Sequence, residues 1–228
     1  MRRAFCVRVV AAALKLQVQA LLVLSLMVQT KPQLLTVEDF IARYGDDSRY
    51  ELIDGELIDL DPTGPHEEVA AFISRKLNVA IDRQDAPYFV PHRCLVQGLG
   101  TSIAFRPDVI VLDKSQLVHE PLWKKEPVIA LGSSIKMAVE VVSTNWQNDY
   151  ARKKEDYALL GIPEYWIVDY LGLGGRDYIG KLKQPTITLC VLDGDEYEKL
   201  QFRGEDVLCS QLFPDLVLTA NQIFDSAS

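Results

Sequence analysis

The segment "AVEVVS", residues 138–143, sets the tightest limit on the fold. Small and branched apolar residues at this density suit a strand covered on both faces. Such a strand has no water to solvate a carboxylate, yet Glu140 sits in its middle. An isolated ionised carboxylate there costs on the order of several kcal/mol, so it must be neutralised, paired or bound to a cation. Side chains alternate along a strand, so Glu140 shares its face with Ala138 and Val142. Neither can pair with it. The chain must fold so that another element delivers a partner.

The preceding apolar run offers one. "RPDVIVLD", residues 106–113, places Asp108 at the start of a Val/Ile strand that Pro107 prevents from beginning earlier. Two carboxylates on neighbouring strands repel, and one pKa rises unless a cation lies between them. Mg²⁺ takes one or two carboxylates and completes its shell with water and phosphate oxygens. Two simpler roles stay open: Asp108 in a Pro-Asp turn, and Glu140 paired with a basic residue such as Arg106.

The rest of the chain alternates element types. Thr36 caps a helix in "TVEDFIARYG" that Gly45 ends. Asp54-Gly55 marks a hairpin within "YELIDGELIDLDP". "HEEVAAFISRKLNVAIDRQ" places Val69, Phe72, Ile73, Leu77 and Ala80 on one helical face. Residues 88–97 read as an irregular strand, 114–134 as a polar loop, "NDYARKKEDYALLG" as a helix closed by Gly161, and "PEYWIVDY" as a buried strand. From "LGLGGRDYIG" onward, turns such as Asp193-Gly194 suggest antiparallel hairpins, and "TANQIF" a last helical turn. There is no internal repeat or low-complexity linker. This order predicts an α/β (α+β) fold: a mixed central sheet flanked by helices, with an antiparallel C-terminal extension, in a single domain over residues 27–228.

Residues 1–26 differ from the rest. Two arginines precede an apolar stretch, but Lys15, Gln17 and Gln19 interrupt it and no small-residue cleavage site follows. We read Met27 as the translation start, with a cytoplasmic protein and no membrane partner. The alternative is an apolar leader or anchor. Either way the segment lies outside the predicted fold.

Composition narrows the partners. The formal net charge is −8 and the pI about 5.0, so the chain does not coat nucleic acid non-specifically. DNA binding would be local, weak and salt-dependent. Candidate phosphate contacts are Arg152 and Lys154, Lys124 and Lys125, and Arg75 and Lys76. Cys6, Cys94, Cys190 and Cys209 have no C-x-x-C spacing, against a structural zinc site. No G-x-S-x-G elbow is present, and "LGLGG" fails the dinucleotide spacing because Asp177 stands where a third glycine belongs.

At these residues the chain resembles a known group. "YELIDGELIDL", "GPHEEVAAFI", "RPDVIVL", "AVEVVSTNWQNDYARKKEDYALLGIPEYWIVD" and "LFPDLVLTANQIF" are similar to the Uma-type family of bacterial restriction endonucleases, in the PD-(D/E)XK nuclease superfamily. The resemblance spans about residues 34–225. It implies a restriction-endonuclease-like core, a Mg²⁺ (or Mn²⁺) site and cleavage of DNA phosphodiester bonds, with a homodimer as one form of assembly. Asp108 matches the motif's Asp and Glu140 its D/E. The superfamily pattern puts a lysine at position 142, where this chain has Val142. Lys153, on the next helix and four residues after Asp149, fits the family's replacement; Lys154 lies one residue further round. The other reading of "RKK" is a solvated basic turn. Glu56 and His66 match positions typical of the family, Glu56 as a third carboxylate ligand and His66 as a substrate contact or pocket-edge group; the other readings are a polar hairpin face and a helix N-terminal residue. Asp149 is read as capping or orienting the helix of Lys153. The rival to an enzyme is a catalytically degenerate nuclease fold serving as a binding or assembly module.

Overall fold

Two runs of branched apolar residues pair antiparallel to make the centre of the larger sheet: β6 (Val109–Asp113) and β8 (Ile135–Val141). This computed structural model describes residues 34–60 and 62–227, and the fold lies in the compact unit spanning residues 35–228. The expectation for residues 1–26 lies outside the described residues, as does Met27 itself.

The unit opens with α1 (Val37–Tyr44). The Thr36 side chain accepts the Asp39 N–H, and the Gly45 N–H donates to the Ile41 carbonyl. The hairpin β1 (Tyr50–Ile53) and β2 (Glu56–Asp59) follows. Asp54 and Gly55 both have positive φ, 52° and 82°, which matches the right-handed twist of the strands they join. Next come α2 (Gly64–Gln84), β3 (Tyr88–Phe89), β4 (Leu95–Gln97) and β5 (Ala104–Phe105). β6, β7 (Val128–Ile129) and β8 lead to a turn of π-helix, Asn148–Lys153, that runs into α3 (Lys154–Leu159). Gly161, at φ 74°, ends that helix. β9 (Glu164–Asp169), α4 (Arg176–Ile179), β10 (Thr186–Asp193), β11 (Glu196–Phe202) and α5 (Ala220–Phe224) complete the order.

The predicted mixed sheet exists, with order β11-β10-β9-β8-β6-β3. β8 and β9 are parallel, and the π-turn and α3 form their crossover; every other pair in this sheet is antiparallel. The hairpin β10–β11 is the expected antiparallel extension. Sequence reasoning missed a second sheet, ordered β2-β1-β5-β4-β7. The segment 88–97, read as one irregular strand, is two: β3 edges the large sheet and β4 lies in the small one. Pro91 stands between them, where a residue lacking an N–H interrupts pairing.

Strand alternation divides the core. Met137, Val139 and Val141 of β8 pack with Val69, Ile73 and Leu77 of α2. Ala138 and Val142 face the other way, against Phe105, Tyr157 and Tyr165. Glu140 points to that second side. Among the described residues, no helix is long and apolar enough to cross a membrane.

Candidate active site

Glu140 is 2 % exposed, so its charge must be met by protein. The π-turn and α3 meet it. Residues four apart on such a helix share a face, and Asp149, Lys153 and Tyr157 are all buried there. Lys153 Nζ donates to Glu140 Oε2 at 2.9 Å, and the Tyr157 hydroxyl donates to Oε1 at 2.7 Å. Tyr157 is held edge-on between Phe105 and Tyr165, and the Tyr165 hydroxyl donates to the Asp149 carbonyl. The alternative pairing with Arg106 does not occur. That guanidinium donates to the carbonyls of Tyr44, Gly45 and Tyr50 instead.

Lys153 serves more than one acid. Its Nζ lies 3.2 Å from Glu51 Oε2 and 3.5 Å from Asp149 Oδ1. Burial alone would lower the pKa of its ammonium, but Glu140, Glu51 and Asp149 hold it well above the ordinary value. Glu140 is also pushed up, first by burial and then by the charges of Asp108, Asp149 and Glu51, against the pull of Lys153. Asp149 rises from 3.8 to about 7, again chiefly through burial. Burial drives both carboxylates up, and crowding adds to it. The cluster holds more carboxylate than ammonium, and it retains protons in place of further positive charge.

Asp108 joins from the start of β6. Its Oδ2 accepts the Val141 N–H at 2.7 Å, which ties it to the residue after Glu140. His66 Nε2 lies 3.4 Å from the same oxygen and 2.9 Å from the Val141 carbonyl. Two acceptors facing Nε2 place the proton on that nitrogen. Burial would lower the imidazole's pKa, but the hydrogen bond to Asp108 and its charge leave it raised. Asp108, Glu140, Lys153, His66, Asp149 and Glu51 all line one cleft of about 280 Å³.

Three sequence candidates fall elsewhere. Glu56 is exposed and does not line the cleft. It pairs with Ile53 beside the turn, whereas Glu51, 1 % exposed, is the hairpin's buried carboxylate. Both lie on one face of the hairpin, because Glu51 and Ile53 are two apart and Ile53 opposes Glu56. Depth separates them: Glu51 is on the inner strand and Glu56 on the edge. Arg152 is bound to Asp54 at 2.6 Å and Asp156 at 2.8 Å, and Lys154 does not line the cleft. Sequence reasoning missed Glu51 and Tyr157, and it gave Asp149 only a capping or orienting role.

The mixed sheet flanked by helices is an α/β fold of the restriction-endonuclease-like class. The chain belongs to the Uma2 family, described as "Putative restriction endonuclease", whose model matches residues 37–221. Among solved structures, the chain is similar to one titled a "putative nuclease belonging to DUF820" from Anabaena variabilis, at 16 % identity and a TM-score of 0.63, covering 85 % of this chain and 99 % of the other. At that identity the likeness is one of fold. No curated protein matches the chain.

Proposed function

We propose that the protein is a metal-dependent endonuclease that hydrolyses DNA phosphodiester bonds through Asp108, Glu140 and Lys153. One observation carries this reading: a carboxylate at a strand start, a carboxylate within a strand and an ammonium from a helix line the same cleft. The cleft's chemistry fits a hard divalent cation. Glu51, Asp108, Glu140 and Asp149 are oxygen donors, and they exceed the single buried ammonium in charge. Among the described residues, no three His, Cys, Asp or Glu side chains form a ready-made cage. Mg²⁺ does not require one, since it keeps several waters and takes one or two carboxylates plus phosphate oxygens. In this proposal Asp108 and Glu140 hold Mg²⁺ or Mn²⁺.

Bound there, the cation supplies charge neutralisation at the phosphate and a lowered pKa for water. The chain's own groups do the rest. The Val141 N–H and His66 fix the Asp108 carboxylate through Oδ2. Tyr157 fixes Glu140 through Oε1. Lys153 orients the attacking water and stabilises negative charge building on the phosphate oxygens. An ammonium on a long stem does this from a helix as well as from the strand position that Val142 occupies. By the superfamily resemblance, the products are a 5′-phosphate and a 3′-hydroxyl.

The test is cleavage of single- and double-stranded DNA with Mg²⁺ or Mn²⁺ by the wild type and by Asp108→Ala, Glu140→Ala and Lys153→Ala. All three variants should stay folded, by circular dichroism, and lose cutting. A wild type that binds DNA but cuts none with either ion would favour the binding-module reading.

A further inference from the structure

The nuclease reading leaves a charge problem. A phosphodiester strand must enter a cleft lined by five carboxylates, Glu51, Glu67, Asp108, Glu140 and Asp149, on a chain of net charge −8. None of the basic residues picked out from the sequence as DNA contacts, Arg75, Lys76, Lys124, Lys125, Arg152 and Lys154, lines that cleft. Arginines that do line it are Arg93, from the loop joining β3 to β4, and Arg106, two residues before Asp108.

Both are unusual as cations. Arg106 is 8 % exposed; its guanidinium forms no ion pair with a carboxylate of the described residues, although the charges of Asp47 and Glu51 reach it. Its Nε and Nη2 donate to backbone carbonyls, and its Nη1 donates to none of the described residues. Arg93 is about half exposed and loosely held. Its Nη1 donates to the Asp46 carbonyl at 3.1 Å, and Nη2 is 3.9 Å from the Asp46 carboxylate, which is 96 % exposed. Burial lowers the pKa of Arg106 and the charge of Arg93 adds to it, while Asp47 and Glu51 oppose. Two like charges thus line one cleft, the buried one bonded to backbone carbonyls and the other half-exposed, beside its acidic groups. A third party of negative charge would relieve their repulsion. The planar fork of arginine suits phosphate oxygens above other anions of that size.

We propose that Arg93 and Arg106 form a phosphate-binding site in the cleft, which holds a backbone phosphate of the substrate strand next to the one cut. This rests on the nuclease reading for the identity of the substrate, but not for the site's affinity for phosphodiesters. Arg106 caps the carbonyl end of α1, so its removal can unfold the chain. Arg93 is the residue to change.

The experiment is fluorescence anisotropy of a labelled single-stranded DNA oligonucleotide with the full chain, with EDTA present so that nothing is cut. It compares wild type with Arg93→Ala and Arg93→Lys over a range of salt. Arg93→Ala should bind about tenfold more weakly, and its slope of log affinity against log salt should be smaller by about one. Arg93→Lys should restore the slope and only part of the affinity. Inorganic pyrophosphate should compete in the wild type and less in Arg93→Ala. Equal affinity and equal slope for wild type and Arg93→Ala would overturn the proposal, even if the protein cuts DNA. A wild type that binds through Arg93 but never cuts would leave this site standing and sink the nuclease reading. No binding by wild type at any salt would overturn the phosphate site and leave the nuclease reading to the cleavage assay with Mg²⁺ or Mn²⁺.

Discussion

One strand presents two faces with opposite physics. Toward α2, β8 offers Met137, Val139 and Val141 to a layer that includes Val69, Ile73 and Leu77. Toward α3 it offers Ala138, Glu140 and Val142, and the middle residue is charged. The first face is held chiefly by apolar burial, at about 25 cal/mol per Å². The second gives up some of that stabilisation to bury a carboxylate, and it survives because Lys153 and Tyr157 satisfy both oxygens. A sheet covered on both sides can keep one side for stability and the other for chemistry. Changes on the two faces should therefore fail in different ways.

The largest effect is expected from Lys153→Met. It leaves Glu140, Glu51 and Asp149 buried together without their shared cation. Breaking a buried pair from one side costs about 3–5 kcal/mol, and urea unfolding should read a loss of that size. Cutting should fall by about a hundredfold or more at the same time. On the other face, Ile73→Ala should cost about 2–5 kcal/mol by cavity formation, while the folded fraction cuts at the wild-type rate. Equal cutting defects in the two variants would erase the distinction between the faces.

A smaller effect tests the charge excess. The Asp149 pKa is raised from 3.8 to about 7, so the folded chain keeps a proton that the unfolded chain has released. Between those two pH values stability should fall as pH rises, by at most about 4 kcal/mol from this group. Asp149→Asn removes the titration. Its urea-unfolding stability, measured without divalent ions, should show a flatter pH slope than wild type over that window. A steeper slope would contradict the assignment. Smallest is Tyr157→Phe, which deletes one hydrogen bond to a charged group and should cost about 1.5–3 kcal/mol in the same assay.

Much of this was legible in the residues. A carboxylate in "AVEVVS" cannot be surface decoration, and that alone demanded a partner from another element. The caps at Thr36 and Gly161 and the turn at Asp54-Gly55 were readable because each depends on a few adjacent residues. Glu51 was not. "YELIDGEL" puts Glu51 and Glu56 on one face, and only the pairing of Leu52 with Ala104, across fifty residues of chain, makes β1 an inner strand and Glu51 the buried acid. The second sheet was hidden for the same reason, since its strands are short and their partners distant. Arg152 looked like a free cation beside the site, but its partner Asp54 comes from the hairpin turn. Long-range pairing decides which charges are spent and which remain available.

The most direct test sets two glutamates against each other. Glu140→Gln and Glu56→Gln keep side-chain size and remove one charge, and plasmid cleavage with Mg²⁺ measures both. The account predicts that Glu56→Gln cuts like wild type while Glu140→Gln is slower by about a hundredfold or more. Wild-type cutting by Glu140→Gln would contradict it.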